Sequence, residues 1–265
     1  MKRAVVTGAG GAFGTAISAE LRSRGWKVVG LDLSPGSSGD ILPCDVTDDE
    51  AVVAAMEDAV GRLGGLDALV NNAGLGGPAS AGSMPGDRVR AMIDVNLLGS
   101  WRCSSAAIEE LVKSRGRVVF IASRMSFIGL PLGAAYGVSK RGVVAYADAL
   151  RAEYGTHVKV TCVHPAMVKT PIHDATKEAG LNLEGFSTEE PLAGVVARVV
   201  EALESPKPKR DVAITRTGAL QLAVARHFPG LVDRIVAKQL AKRVAAGELD
   251  GAEIAAPLRD RHGRA

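Results

Sequence analysis

Short apolar segments alternate with helical patterns along most of this chain. The strand-like segment RAVVT is followed by the helical pattern TAISAELRSRG, and WKVVGLDLS is followed by DDEAVVAAMEDAVGRLG. The alternation continues through LDALVNNAG, GRVVFIAS and HVKVTCVHP, without hairpin turn signals between these segments. Strands that are joined by helices run parallel, and strands that are covered on both faces are apolar throughout. The sequence therefore predicts an α/β fold built on a doubly wound parallel sheet.

The alternation loosens beyond Pro165. Residues from about 169 to 190 mix Thr, Pro, Gly and charged residues, which predicts a long loop with short helical pieces, as in lids and binding loops. PLAGVVARVVEALES then predicts a helix, RDVAIT a last strand, and the remainder a helical segment that is interrupted near Pro229. We predict a single domain in which residues 1–215 contain the sheet and residues 216–265 form a helical extension.

The charge and the cysteine content argue against several classes of protein. The formal net charge is +3 over 265 residues, which gives no indication of a nucleic-acid partner. The widely spaced Cys44, Cys103 and Cys162 predict reduced thiols in a cytoplasmic protein. Neither the cysteines nor the histidines have metal-ligand spacing, so we predict no metal site. We find no signal peptide, and no apolar run approaches the roughly 18 residues of a membrane span.

A glycine-rich loop lies between the first predicted strand and the first predicted helix. It reads TGAGGAFG, from Thr7 to Gly14. Glycines at this place let the backbone approach a pyrophosphate, whose charge is met by the N-terminus of the helix. Asp32 ends the second strand, and its carboxylate can accept hydrogen bonds from both hydroxyls of the adenosine ribose while repelling the extra phosphate of NADP. The pair predicts a Rossmann-like fold that binds NAD.

A tyrosine and a lysine stand four residues apart in AAYGVSKRGV. Residues i and i+4 share one face of a helix, so Tyr136 and Lys140 lie one turn apart. A nearby ammonium group favours the phenolate and lowers the pKa of the tyrosine. The spacing makes Tyr136 a candidate general base in oxidation and general acid in reduction, and the surrounding motifs decide the assignment.

Together these motifs resemble the single-domain branch of the short-chain dehydrogenase/reductase family, over roughly residues 2–215. The family's first motif, Thr-Gly-x-x-x-Gly-x-Gly, is matched except that Ala12 replaces the middle glycine. CDVTD is similar to the segment that meets the adenine, and NNAG matches a motif that flanks the cofactor. HPAMVKT resembles the Pro-Gly segment beside the nicotinamide, with Ala166 in place of the glycine.

The resemblance implies a set of cofactor-binding residues that spans all of these motifs. They are Gly8, Gly10, Phe13, Gly14, Asp32, Leu33, Asp45, Val46, Asn72, Ala73, Gly74, Tyr136, Lys140, Pro165, Val168 and Thr170.

The resemblance also implies a catalytic set of four residues: Asn96, Ser123, Tyr136 and Lys140. Ser123 would hold the substrate oxygen near Tyr136, and Lys140 would also bind the hydroxyls of the nicotinamide ribose. Asn96 would hold a water that links Lys140 to solvent; its alternative is a polar residue that the backbone satisfies. Ser126 competes with Ser123 in the same loop, but its distance along the chain from Tyr136 does not match the family spacing.

We therefore expect an NAD-dependent oxidoreductase that interconverts a hydrophobic secondary alcohol and its ketone. Two alternatives stay open: a non-catalytic dinucleotide-binding regulatory or structural protein, and an NADP-dependent carbonyl reductase. We expect Arg124 to be solvated rather than to bind an acidic substrate. The candidate substrate residues are mainly apolar: Ser123, Met125, Phe127, Tyr136, Met167, Ile172, Leu181, Leu183 and Phe186.

The segment from Leu220 to Val244 carries apolar residues at helical spacing between arginines and lysines. We expect it to pack on the body of the protein or on a neighbouring subunit, and contact with a membrane surface is the less favoured alternative. The family resemblance further implies a homodimer or homotetramer that acts on a small molecule.

Overall fold

A seven-stranded sheet forms the centre of the structure, a computed structural model that describes residues 1–36, 39–181 and 189–262. All pairings are parallel, in the order β3-β2-β1-β4-β5-β6-β7. The predicted α/β fold with a parallel sheet is confirmed. The candidate residues Leu183 and Phe186 lie outside the described residues. The strands are β1 Arg3–Thr7, β2 Lys27–Asp32, β3 Ile41–Pro43, β4 Ala68–Asn71, β5 Arg117–Ile121, β6 Lys159–His164 and β7 Asp211–Ala213.

Helices connect the strands and cover both faces of the sheet. α2 is capped by the Asp48 side chain, which accepts a hydrogen bond from the N–H of Ala51 at 2.9 Å. One long predicted helix is divided into α3 and α4 by a π-helical segment, Asp94–Gly99. The α-helices are α1 Ala12–Ser23, α2 Asp49–Leu63, α3 Asp87–Ile93, α4 Ser100–Ser114, α5 Ala134–Tyr154, α6 Asp174–Glu178, α7 Leu192–Glu204, α8 Arg216–His227, α9 Pro229–Ala245 and α10 Ala256–His262.

Two apolar cores lie on opposite faces of the sheet. One core packs α2, α4 and α5 against the strands around the fully buried Phe120. The other packs α1 and α7 around the fully buried Ile17 and Val199. Because the central strands are covered on both faces, their residues are mostly apolar without alternation, as the sequence indicated. β3 was not predicted, since three residues are too few to show a pattern.

The strand order reverses beside β1, whose neighbours are β2 on one side and β4 on the other. In parallel sheets the carboxyl ends of all strands meet at one edge, and ligands bind where the order reverses. The glycine loop after β1, the NNAG motif after β4 and the serine after β5 therefore share this edge.

The C-terminal helices add a third, smaller apolar cluster. Leu240 of α9 is buried against Leu132 and Leu181 from the main part of the chain, together with Leu249. The amphipathic segment thus packs partly on the body of the protein, although several of its apolar side chains are exposed: Leu220, Phe228, Leu231 and Ile235. No described helix is long and apolar enough to cross a membrane.

Candidate active site

Two positions in the glycine loop require glycine. Gly8 has a φ of 63°, and a Cβ there would lie 2.8 Å from the Cα of Ala73. A Cβ on Gly14 would overlap the carbonyl oxygen of Gly8. No described side chain caps the N-terminus of α1, which begins at Ala12. The loop therefore fits a pyrophosphate, whose oxygens can accept hydrogen bonds from the first turn of the helix.

The carboxylate of Asp32 is fixed beside this loop. Its Oδ2 accepts a hydrogen bond from the N–H of Gly10 at 2.9 Å, and its Oδ1 accepts one from the N–H of Ser34 at 2.9 Å. Leu33 is 70% exposed. Phe13, by contrast, packs its partly buried side chain against the core that contains α1 and α7.

Thr7 joins the glycine loop to the NNAG motif. Its hydroxyl oxygen accepts hydrogen bonds from the N–H groups of Asn72 and Ala73, each at 3.0 Å. The Asn72 amide nitrogen donates back to the carbonyl oxygens of Thr7 at 2.9 Å and Gly8 at 3.0 Å. These bonds explain a threonine at the end of β1 and hold two of the predicted cofactor segments together.

The predicted adenine-binding segment is similarly ordered. Asp45 accepts hydrogen bonds from the backbone N–H of Thr47 at 2.8 Å and from its hydroxyl at 2.7 Å, and both lower the pKa of the aspartate. Val46 packs so closely on Gly99 that a Cβ there would lie 2.8 Å from a valine methyl group. This contact joins the segment to the end of the π-helical turn.

Lys140, Asn96 and Gly74 lie close together near Tyr136. Lys140 is buried and its Nζ donates a hydrogen bond to the carbonyl oxygen of Ile121 at 2.8 Å. A Cβ on Gly74 would lie 3.3 Å from Asn96 Oδ1 and 3.5 Å from Lys140 Nζ. Gly74, the glycine of NNAG, therefore leaves room for the side chains of Asn96 and Lys140 beside it.

The Asn96 side chain is engaged by the protein itself. Its Oδ1 accepts from the N–H of Leu75 at 2.7 Å, and its Nδ2 donates to the Leu75 carbonyl at 3.0 Å and to the Ser139 hydroxyl at 2.9 Å. Both backbone groups of Leu75 and one hydroxyl are thus bonded to the Asn96 side chain. Asn96 thus fixes the chain that follows NNAG.

The pKa of Tyr136 differs from the sequence prediction. Burial raises it to about 12, and a hydrogen bond with Ser123 offsets only part of the rise. Burial also lowers the pKa of Lys140 to about 8. The ammonium lies 5.7 Å from the centre of the Tyr136 ring, but desolvation of both groups outweighs their attraction. Sequence spacing predicts that the two are neighbours, whereas it contains no information on how far water is excluded.

The two candidate serines have different surroundings. Ser123 follows β5, and its Oγ accepts a hydrogen bond from the N–H of Met125 at 3.1 Å while interacting with Tyr136. Ser126 is buried and its Oγ donates to the carbonyl of Lys140 at 3.1 Å. The structure thus places Ser123 beside Tyr136, whereas the Ser126 hydroxyl is engaged in a hydrogen bond to the backbone of α5.

Arg124 was expected to be solvated, and this expectation was wrong. Arg124 is only 6% exposed, and its guanidinium donates a hydrogen bond to the Gln221 side chain of α8. Burial lowers the pKa of Arg124, with an opposing contribution from Glu190. The partner comes from the C-terminal extension, so the sequence around Arg124 held no sign of it.

An apolar cavity adjoins Tyr136. Met125, Ile172 and Leu181 line it, as predicted for substrate residues. Other lining residues were not predicted: Leu130, Pro131 and Leu132 from the loop before α5, His173 and Thr176 from the segment after β6, and Leu240 and Leu249 from α9 and the turn after it. An apolar loop next to the Tyr-Lys motif, GLPLG, was the one available signal.

Two other predicted substrate residues lie elsewhere. Met167 lines a neighbouring groove together with Thr170. Phe127 is not among the residues around the cavity, because its ring packs between the guanidinium groups of Arg141 and Arg226, at 4.4 and 4.7 Å. We therefore correct the assignment of Phe127 from substrate contact to packing.

The segment after β6 turns toward the cavity. The Pro165 carbonyl accepts from the N–H of Arg124 at 3.0 Å, which ties the segment to the serine loop. Ala166, at the family's glycine position, donates its N–H to Glu190 Oε2 at 2.8 Å. Val168 is buried, and its carbonyl accepts a hydrogen bond from the Thr170 hydroxyl at 3.4 Å.

Within the described residues, Cys162, His164 and Asp211 bring potential metal-ligand atoms within 4.8 Å of one another. Their atoms are already in hydrogen bonds. Cys162 Sγ lies 3.5 Å from a guanidinium nitrogen of Arg151, and Asp211 accepts from Arg226 at 2.9 Å. We assign no metal to this cluster.

Comparisons with known proteins identify relatives of about two thirds of the chain. The family model described as short chain dehydrogenase matches residues 2–180. The chain is 33% identical to an uncharacterized oxidoreductase of Myxococcus xanthus, over 64% of this chain and 74% of the relative. It is 36% identical to 1-deoxy-11-beta-hydroxypentalenate dehydrogenase of Streptomyces avermitilis, over 64% and 69%. The ligand-free aldohexose dehydrogenase of Thermoplasma acidophilum superposes with a TM-score of 0.71 at 26% identity, covering 80% of this chain and 91% of that one.

Proposed function

Because the chain belongs to the short-chain dehydrogenase family and is thereby an oxidoreductase for alcohols or ketones, we propose that it uses NAD to interconvert an apolar secondary alcohol and its ketone. One observation carries the proposal: Tyr136 lines an apolar cavity while it interacts with Ser123 and lies one helical turn from the buried Lys140.

Side chains of the protein carry out the proton transfer. The bound nicotinamide would accept the hydride in oxidation and supply it in reduction. Tyr136, whose pKa is raised to about 12, is a protonated phenol at neutral pH and can donate to a developing alkoxide. In the oxidative direction, the positive charge of Lys140 and of the oxidised ring favours the phenolate that accepts the hydroxyl proton. Ser123 holds the same substrate oxygen.

The selection of NAD over NADP rests on Asp32. Its carboxylate is held at the end of β2 by Gly10 and Ser34, beside the loop that would receive the pyrophosphate. A fixed anion there accepts hydrogen bonds from ribose hydroxyls and repels a 2′-phosphate. The residues from 30 to 36, GLDLSPG, contain no arginine or lysine that would pair with that phosphate.

The cavity supports an apolar substrate. The aldohexose dehydrogenase is named for a polyhydroxylated sugar, whereas the walls here are Met, Leu, Ile and Pro. Hydroxyl groups buried against such walls would lose hydrogen bonds to water without replacement, which costs free energy for each group. Besides Tyr136, the polar lining residues are His173 and Thr176, which can form hydrogen bonds with one further polar group on the substrate.

We also propose a homodimer or homotetramer in the cytoplasm. Trp101 and Leu98, near the start of α4, and Val138 of α5 are 52%, 39% and 59% exposed, which favours a partner subunit on these helices. The three cysteines are buried and free, which supports a reducing compartment.

Thermal unfolding with NADH and with NADPH tests the cofactor. A ligand at about 100 times its Kd stabilises the folded state by about 2.7 kcal/mol. We expect NADH to raise the midpoint more than NADPH, and Asp32→Arg to reverse this order. The matched control is Asp40→Asn, at an exposed carboxylate that pairs with Arg22 at 3.5 Å. If NADPH stabilises the wild type more than NADH, the assignment to NAD fails.

A panel of secondary alcohols with NAD then tests the reaction. Tyr136→Phe should lose at least about a thousandfold in kcat, within the range that general acid–base catalysis contributes, while NADH still raises its unfolding midpoint. A Tyr136→Phe protein that turns over like the wild type would favour the non-catalytic alternative. Higher kcat/KM for sugars than for apolar alcohols would refute the substrate class.

A further inference from the structure

A fully buried histidine lies directly behind the serine that faces Tyr136. His164 is the last residue of β6 and has no exposed surface. Its Nδ1 lies 3.1 Å from the carbonyl oxygen of Ser123, and its Nε2 lies 2.9 Å from Asp211 Oδ1. The proposed chemistry uses neither His164 nor Asp211.

The two partners determine where the protons lie. A carbonyl oxygen can only accept, so Nδ1 must carry a hydrogen and donate it to Ser123. The contact between Nε2 and Asp211 Oδ1 at 2.9 Å holds the opposite side of the ring. The hydrogen bond to Ser123 is therefore donated by a ring whose orientation is fixed from its far side.

Charged residues from outside β6 surround the pair of His164 and Asp211. Asp211 Oδ2 accepts from Arg226 of α8 at 2.9 Å and pairs with Arg210 at 3.5 Å. Burial raises the pKa of Asp211, but hydrogen bonds from His164 and Arg226 outweigh this effect and hold it well below its usual range. A carboxylate is thus retained against His164 at neutral pH. Arg141 and Arg226 enclose the neighbouring Phe127 ring.

The backbone offers Ser123 few other donors. Beyond β5 and β6 the ladder continues from Ala122 to Val163 and from Arg124 to Pro165, at 2.9 and 3.0 Å. Pro165 has no N–H to contribute to it. The Ser123 carbonyl receives the His164 ring and the N–H of Ser126 at 3.0 Å.

We propose that His164, oriented by Asp211, is a positioning residue that fixes Ser123 in the geometry that holds the substrate oxygen. The inference rests on the proposed function, because it concerns the same reaction. It also extends the machinery to β7 and α8, beyond residues 2–180 that match the family model.

Two amide substitutions at the same position separate the roles of the two nitrogens. His164→Asn places an amide nitrogen near the position of Nδ1 and keeps the donor to Ser123. His164→Gln places it near Nε2 and keeps the contact with Asp211. We expect kcat to stay within about threefold of wild type for Asn and to fall at least about tenfold for Gln, since misplacement of a catalytic group by 1 Å can cost about a hundredfold. If His164→Gln is at least as active as His164→Asn, the proposal is overturned. A role of His164 in anchoring β7 predicts that result, because only His164→Gln keeps the contact with Asp211.

The same variants in a Ser123→Ala background test whether His164 acts through Ser123. We expect the difference between Asn and Gln to disappear there, because the positioned hydroxyl is gone. An equal difference in both backgrounds would contradict the proposal. Arg210→Ala is the matched control: it removes another partner of Asp211, but the Arg210 side chain is 54% exposed, so we expect kcat within about twofold of wild type.

A measurement on the unmodified protein covers the case in which the variants do not fold or no alcohol is turned over. The ¹⁵N chemical shifts of the assigned His164 ring should show Nδ1 protonated at neutral pH. Nδ1 without a proton would overturn the proposal even in an active enzyme. Protonated Nδ1 in a protein without turnover would leave the proposed function refuted and the histidine contact intact.

Discussion

The burial of Lys140 predicts a dependence of stability on pH. Its pKa falls from 10.5 to about 8 in the folded protein because burial penalises the ammonium. Between these values the unfolded chain binds more protons than the folded one, so the free energy of unfolding rises with pH. At about 1.36 kcal/mol per pKa unit, the rise between about pH 7 and 10 is about 2–3 kcal/mol.

Replacing Lys140 by Met removes this titration. We would measure urea unfolding of wild type and Lys140→Met at pH values from about 7 to 10 and take the difference in free energy of unfolding at each pH. The other titrating groups contribute to both proteins and cancel in the difference. We expect wild type to gain about 2–3 kcal/mol relative to Lys140→Met over this range.

Lys159→Met is the control, because Lys159 is exposed at the start of β6. The difference between wild type and this variant should not change with pH by more than about 0.5 kcal/mol. A constant difference between wild type and Lys140→Met would refute the argument that desolvation sets the pKa of Lys140. Loss of stability with rising pH relative to Lys140→Met would show that the lysine is held as an ammonium by an attraction stronger than the cost of burial.

Three other predictions concern the cofactor loop, the cavity and the tyrosine. Gly14→Ala should abolish the NADH-induced rise in unfolding midpoint. Gly61→Ala, where the added methyl group enters open space beside α2, should retain that rise and gain about 0.5–1 kcal/mol of stability. Equal NADH responses of the two variants would contradict the overlap at Gly14. Leu240→Ala should lose about 2–4 kcal/mol of stability and raise kcat/KM for bulkier alcohols relative to small ones by about tenfold, and an unchanged preference would place Leu240 outside the substrate site. In the cofactor-free protein, the difference absorbance between wild type and Tyr136→Phe should show phenolate only above about pH 11, since burial raises the pKa to about 12; phenolate at pH 8 would refute that shift.

Much of the site could be predicted because it depends on local chain geometry. The helical spacing of Tyr136 and Lys140 places them on one face of α5, and the parallel sheet brings the ends of β1, β4 and β5 to one edge. Ser123 was distinguished from Ser126 by family spacing alone. The structure supplies the physical reason, since the Ser126 hydroxyl is bonded to the backbone of α5.

The errors concern contacts between segments far apart in the sequence. Arg124 reads as a surface residue until α8 covers it, and Phe127 reads as a pocket residue until Arg141 and Arg226 enclose it. Burial raises the pKa of Tyr136 in the cofactor-free protein, opposite to the direction that the spacing to Lys140 predicts, because exclusion of water depends on the whole fold. No local pattern contains these facts, since each arises from side chains that meet only after the chain has folded.

The sequence by itself determined the parallel α/β architecture, the glycine loop with its following aspartate, and the identity of the Tyr-Lys pair. Periodicity and spacing act over a few residues, where backbone geometry fixes which side chains are neighbours. Only the tertiary structure decided that leucines from α9 and the turn after it close the cavity, and that a histidine from β6 and an aspartate from β7 support Ser123. Those contacts depend on how the C-terminal helices and the last strand pack on the sheet, because burial and proton positions are set by partners that are distant along the chain.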